Sequence, residues 1–228
     1  EGQCTHIPYA NNLPPRVAKG ESILGAWQVR EVNQQILVWY HPNKEAPTWE
    51  PEVIPEAAAN HPDWGDIIIH TWEINTHMQE MGENAVDAAH FHYVHGTDEV
   101  PEAAFQNFDG HIREGKFITR QPTPRGVVDG AIETRSQGAG LSGVRFTGIY
   151  DPLLLANVPP VGPEKTYATY AFIQPRATQD TLGKTVGQAI IGNICQQMAE
   201  DQIIWDRKQY FDRPLLCDGD GPFAKFRR

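Results

Sequence analysis

Asp201 stands where a carboxylate is least expected. The last long helical pattern, about Lys184 to Phe211, places Ile190, Ile194, Met198 and Trp205 on one stripe at three- and four-residue steps, and Asp201 falls in the middle of it. A carboxylate on a buried stripe costs several kcal/mol unless a cation or several donors compensate it. A fold that buries this helix must bring a metal ion, an arginine or a helix N-terminus to that spot.

Far upstream, Glu83-Asn84-Ala85-Val86-Asp87-Ala88-Ala89-His90-Phe91-His92-Tyr93-Val94-His95-Gly96 supplies candidates. Thr76 and Gln79 have capping-box spacing, which predicts a helix starting at Thr76 and running through Asn84, Asp87 and His90. Steps of three keep those side chains within a sector of about 120°. His95 lies about 140° round an ideal helix from His90, so it joins the same face only if the helix ends near it, and Gly96 is a stop signal. Spacing alone leaves the pairs His90/His95 and His92/His95 both open, and leaves open surface histidines or a hydrolytic zinc site. Two neutral imidazoles and one carboxylate are also what a mononuclear non-haem Fe(II) site requires, because three protein ligands leave positions for O2.

The rest of the chain frames this cluster. No apolar run in the 228 residues approaches the roughly 18 of a membrane span, which predicts a soluble globular protein. A net charge of −10 argues against a nucleic-acid partner. Cys4, Cys195 and Cys217 are few, odd in number and widely spaced, the pattern of a reducing cytoplasm rather than a disulfide framework. The start at Glu1 has neither an initiator Met nor a basic and apolar leader. Residues 1–46 read as a small β module with a strand at Ile36–Tyr40 and a turn at His41-Pro42-Asn43. A Pro- and Glu-rich linker is expected over 47–65. A domain follows over 66–228, with strands at Asp66–Ile74, Val144–Tyr150 and Thr166–Gln174 within a β-rich stretch from about 103 to 183. Leu153–Leu155 and Val158–Val161 are expected to line a pocket or a loop over one. The predicted class is α+β, an antiparallel sheet with helices packed on it.

The run Glu83-Asn84-x-x-Asp87-x-x-His90-x-x-x-x-His95, with Asp201 followed four residues later by Trp205, resembles the mononuclear-iron motif of the Rieske non-haem iron oxygenases. The tail Pro214-Leu215-Leu216-Cys217-Asp218-Gly219-Asp220-Gly221-Pro222, ending in Phe226-Arg227-Arg228, is similar to the branch holding 3-ketosteroid 9α-hydroxylase oxygenases and sterol 7-desaturases. The resemblance covers essentially the whole chain. It implies a helix-grip (START-like) catalytic domain behind the C-terminal remnant of a Rieske domain. It implies His90, His95 and Asp201 as Fe(II) ligands, with His92 excluded. Asp87 would be the acidic bridge carrying electrons from a neighbouring subunit's cluster to a ligand imidazole, and Asn84 would lie beside the iron. Met198 and Trp205, which flank Asp201, and Ala85, beside Asn84, become candidate substrate-pocket walls. The resemblance further implies O2, a large apolar steroid-like substrate, a flavin/iron-sulfur reductase drawing on NADH, and a homotrimer.

One departure is informative. The family holds its [2Fe-2S] cluster with C-x-H and C-x2-H pairs, yet Cys4-Thr5-His6 is a C-x-H with no C-x2-H anywhere after it. Cys4 matches the segment after the cluster loops, so the cluster is expected only in a longer protein of which this chain is a fragment. Cys195 is expected as a small core residue and Cys217 as a loop residue. Two rival functions remain: a START-like lipid or sterol carrier, which has no use for three convergent ligands, and a zinc hydrolase, in which Asp87 would serve as acid or base.

Overall fold

In the computed structural model, residues 2–176 and 181–228 are described, with side chains of the last long helix described from Lys184 onward. The chain divides into two units, Glu1–Ala59 and Asn60–Arg228.

The first unit is organised by a two-residue turn. Asn33 and Gln34 both adopt left-handed backbone (φ 53° and 58°), which matches the twist of a tight hairpin. After a short helix α1 (Pro15–Ala18), strands β1 (Gln28–Val32) and β2 (Gln35–Trp39) pair antiparallel across this turn. The turn side chains then hold the next segment. Asn33 donates to the Glu52 carbonyl (2.9 Å) and accepts from the Ile54 amide (2.7 Å), and Gln34 donates to the Ala57 carbonyl (2.8 Å). The front half of the expected linker is thus strapped to the hairpin, ending in a 3-10 turn at Pro55–Ala57. Proline removes amide donors, but the carbonyls around it still accept side-chain hydrogen bonds.

In the second unit the described residues form an eight-stranded antiparallel sheet. Its strands are β3 (Ile68–Ile74), β4 (Glu102–Asp109), β5 (Ile112–Thr123), β6 (Gly126–Gln137), β7 (Leu141–Thr147), β8 (Leu153–Asn157), β9 (Pro160–Gly162) and β10 (Lys165–Ile173). The order is β3-β10-β8-β7-β6-β5-β4, with β9 on β10. Residues 177–180, near the end of the expected β-rich stretch, lie outside the described residues. Strands β3 and β4 are consecutive in the chain yet sit at opposite edges. The segment between them must therefore cross the whole sheet, and it carries α2 (Met78–Glu83) and α3 (Ala89–Tyr93).

Two-residue periodicity gives the sheet a working face. Thr134 and Ser136 of β6 oppose Val144 and Ser142 of β7, which oppose Leu154 and Ala156 of β8, and Ala156 opposes Tyr170 of β10. Leu153, Leu154 and Leu155 are all buried because β8 is an interior strand covered on both faces. The run expected at a pocket wall or loop is thus the middle of the sheet, with Leu154 on the working face. Over that face lies α4 (Thr181–Trp205). Its Met198 and Trp205 pack with Ile74, Met81, Val158 and Ala168, and its Ile191 with Leu154 and Phe172.

Three expectations are corrected. Ile191 rather than Ile190 is the buried isoleucine at its end of the stripe. Helix α4 stops at Trp205, six residues before Phe211, tightening through Arg207 and Lys208 amide bonds to the Ile204 and Trp205 carbonyls. Asp206 then accepts the Asn75 amide (2.8 Å) and Tyr210 stacks on His77 (4.3 Å between centroids), turning the chain back toward α2. Third, the helix expected from Thr76 does not use Thr76. His77 is the N-cap, its Nδ1 accepting the Gln79 amide, while the Thr76 hydroxyl is buried without a hydrogen bond among the described residues.

The tail after α4 ends in α5 (Phe223–Phe226) and is pinned by an ion pair between Arg227 and Glu83, whose side chains are 13% and 4% exposed. Removing one member of such a pair strands the other's charge, at a cost of about 3–5 kcal/mol. Arg227→Ala should lower stability by about 3 kcal/mol in urea denaturation, and adding Glu83→Gln should recover most of that loss.

Candidate metal centre

The predicted single helix through His90 is broken in two, and the break builds the site. Helix α2 ends at Glu83, a 3-10 turn spans Asn84–Val86, and Asp87 is extended (φ −93°, ψ 109°) before α3 begins. Asp87 causes the break locally. Its Oδ1 accepts the amides of Ala89 and His90 (2.9 and 3.3 Å), offering the backbone a cap in place of helix continuation. Two further groups hold the turn. The Arg113 guanidinium donates to the Ala85 carbonyl, and Gly221 of the tail passes so close to the Val86 carbonyl that a Cβ there would collide. Arg113 itself is buried and bound to Gln106 and Thr134. Burial pulls its pKa down to about 10, so it remains a cation at neutral pH.

At its other end α3 unwinds, as His95 requires. Gly96 is left-handed (φ 69°) and its amide bonds the His92 carbonyl (3.1 Å), an αL helix stop. The rings of His90 and His95 thereby meet nearly at right angles (84°, centroids 5.2 Å apart). Asp201 reaches the same point from α4, and one donor atom from each of His90, His95 and Asp201 falls within 4.8 Å of the others. His92 does not join them: its Nδ1 is engaged with the Thr97 carbonyl.

Hydrogen bonds fix which imidazole nitrogens face inward. His90 Nδ1 lies 2.7 Å from the Asp87 carbonyl oxygen and His95 Nδ1 lies 2.9 Å from Glu200 Oε2. Each Nδ1–H is donated outward, which leaves each Nε2 lone pair for a metal. Asn84 Nδ2 donates to Asp201 Oδ2 (2.9 Å) and sits 3.3 Å from His90 Nε2. Asp87 thus touches His90 through its main-chain oxygen, while its carboxylate caps α3.

The two imidazoles differ electrostatically. Burial lowers the His90 pKa, outweighing the opposing pull of Asp201 and Asp87. Burial also pulls His95 down, but its hydrogen bonds to the Asp201 and Glu200 carboxylates together lift it above the ordinary histidine value. Glu200 is in turn held below the usual carboxylate range by His95 and Gln196. Glu200 and Arg113 are absent from the sequence-based set. Glu200 had one signal, its adjacency to Asp201. Arg113, on a strand between Ile112 and Glu114, had none.

The cluster opens on a cavity of about 190 Å3 lined by Met81, Phe91, Ile132, Leu154, Tyr170 and Phe226 among others. Met198, Trp205, Ala85 and Asn84 also line it. Of the cysteines, Cys195 packs partly buried near Ile191, Cys217 is exposed, and the Cys4 thiol points to the His6 carbonyl (3.6 Å); all three are free. Among the described residues no helix is long and apolar enough to cross a membrane.

Comparison with known proteins follows the same lines. Residues 38–228 match the family described as the 3-ketosteroid 9alpha-hydroxylase C-terminal domain. Over its full length the chain is 30% identical to a 3-ketosteroid-9-alpha-monooxygenase oxygenase component of Rhodococcus rhodochrous, covering 60% of that protein. It is 28% identical to a cholesterol 7-desaturase of Caenorhabditis elegans, covering 57% of it. Two solved structures align with 99% of this chain at 16% identity: NdmB of Pseudomonas putida CBB5 (TM-score 0.71, 64% of that chain) and dicamba monooxygenase bound to dicamba (TM-score 0.70, 73% of that chain). The fold is that of the Rieske-type oxygenase catalytic domains. Within that class, the chain belongs to the 3-ketosteroid 9α-hydroxylase C-terminal domain family. It spans about three fifths of the length of the curated relatives it matches.

Two measurements test the site. His90→Ala or Asp201→Ala should abolish one-to-one metal binding and His92→Ala should retain it, whereas Glu200→Ala should weaken affinity by about 10–100-fold, read by chelator competition. Because His95 has a raised pKa, a metal must displace its proton at pH values where an ordinary histidine, near about 6.5, is already neutral. Apparent affinity should therefore climb as pH rises through and above that range, and in Glu200→Ala the climb should move to lower pH.

Proposed function

We propose that this chain is the catalytic part of a Rieske-type monooxygenase that hydroxylates a large apolar, steroid-like molecule. One observation carries the reading: three side chains able to hold a metal converge beside a cavity whose other walls are mostly apolar. Two imidazoles, one carboxylate and a neutral amide at Asn84 suit ferrous iron, with positions left for O2 and no fourth anionic ligand. Iron held there supplies O2 activation for inserting one oxygen atom into a C–H bond.

The chain's own residues orient and enclose. His90, His95 and Asp201 are the ligands, and Asn84 steadies the Asp201 carboxylate. Met198 and Trp205 exclude water and position the ligand, with Ala85 beside the metal end of the wall. Asp87, half-buried and with its peptide carbonyl 2.7 Å from His90 Nδ1, would be the acidic bridge that receives electrons. Those electrons would come from NADH through a flavin/iron-sulfur reductase and a [2Fe-2S] cluster carried by polypeptide beyond this chain, across subunits of a homotrimer. Residues 1–46 would then be the end of the cluster domain and 66–228 the catalytic domain. The hydrolase alternative is disfavoured because Asp87 meets His90 through its main-chain carbonyl while its carboxylate Oδ1 is turned to the amides of Ala89 and His90. A carrier gains nothing from the convergent ligands.

The decisive experiment uses a polypeptide extended to carry the cluster, with reductase, NADH, a 3-ketosteroid and isotopically labelled O2. One labelled oxygen atom should appear in the product, and Asp87→Asn should keep iron and fold while losing most turnover. A tightly held zinc with no oxygen incorporation would return the chain to the hydrolase reading.

A further inference from the structure

Tyr170 carries the inference. It projects from β10 onto the working face of the sheet and lines the cavity shared by His90, His95 and Asp201. Its ring is fixed edge-on against Trp72 (centroids 5.2 Å, 69°) and Phe172 (6.2 Å, 77°). The other well-packed tyrosine hydroxyls have protein acceptors: Tyr150 donates to Gln174 (2.8 Å) and Tyr210 to Gln79 (3.3 Å). The Tyr170 hydroxyl has no hydrogen bond or ion pair among the described residues. Burial, and after it the Asp201 carboxylate and the Cys195 thiol, push its pKa far above the ordinary phenol value, so the group stays protonated.

Tyr170 is half-buried, and its O–H faces the cavity without a protein acceptor, so an oxygen of a bound molecule can take the place that water fills in the empty cavity. Apolar Leu154, Ile194 and Met198 line the cavity with Tyr170, together with the polar side chains of Thr134, Ser142 and Gln197. We infer that Tyr170 is a specificity-determining residue whose hydroxyl donates a hydrogen bond to a carbonyl or hydroxyl oxygen of the apolar molecule held beside the triad. The inference rests on the function proposed above and narrows it: the preferred ligand is an oxygen-bearing polycycle, and the fully hydrocarbon analogue is rejected.

The test uses the complete chain loaded with Fe(II) without oxygen. The probes are androstanone, a saturated steroid with one ketone, and its parent hydrocarbon androstane, titrated by quenching of tryptophan fluorescence. The wild type should bind the ketone about tenfold more tightly than the hydrocarbon, equivalent to about 1.4 kcal/mol. Tyr170→Phe should erase that preference by weakening only the ketone, with the melting temperature of the ligand-free chain unchanged or raised. A preference that survives Tyr170→Phe, or a parallel loss for both steroids, overturns the inference alone. So does a drop in iron affinity or melting temperature in that variant, because it would assign the hydroxyl to a protein partner. If neither steroid binds an iron-loaded wild type, the steroid reading itself fails and takes the inference with it.

Discussion

The buried carboxylate of Asp201 is the constraint around which the second unit is arranged. Taking it out of water is unfavourable unless donors or a cation meet it. It is met by the Asn84 amide and by His95 Nε2 at 3.5 Å, both delivered by the segment that crosses the sheet. That delivery needs the crossing because β3 and β4 lie at opposite edges. It also needs α4 to lie over the central strands, where Met198 and Trp205 bury against Ile74 and Ala168. Apolar packing on each side of Asp201 fixes where the charge sits, and the crossing segment brings His90 and His95 to it.

The path of the crossing segment follows from competition between local hydrogen bonds. A continuous helix would satisfy the backbone between Met78 and Tyr93, but Asp87 offers two amides a side-chain acceptor and Arg113 claims the Ala85 carbonyl. The turn that results places Asn84 against Asp201 and frees the Asp87 carbonyl for His90. A second unwinding at Gly96 brings His95 onto the same point. Each imidazole is oriented by an outward bond, one to a peptide carbonyl and one to a carboxylate. The two rings are therefore unequal in basicity.

Much of this was legible in the chain. The stripe of α4 with Asp201 inside it, the spacing from Asn84 to His95 and the two-residue alternation of β10 were visible, because periodicity is a local property and survives without neighbours. The resemblance carried by the same residues pointed to the family that residues 38–228 match. The misses share a cause. Thr76 satisfied the capping pattern, yet His77 caps α2, since the Thr76 side chain is buried. Ile190 and Ile191 were equally good candidates for the stripe until the sheet chose one. The Pro-rich stretch after residue 47 showed no periodicity, and so gave no sign that Asn33 and Gln34 would hold it.

By itself, then, the sequence determined most of the elements, the class of fold and a short set of candidate donors, because side-chain chemistry and local period are written residue by residue. Only the tertiary structure decided that His90 and His95 present their Nε2 atoms together, that Glu200 orients one of them, and that Tyr170 faces the cavity without a protein acceptor. Those outcomes depend on contacts between segments far apart in the chain, such as His95 on Glu200 and Asn84 on Asp201. A hydrogen bond's direction is set by the backbone on both sides of it, and no single segment contains both.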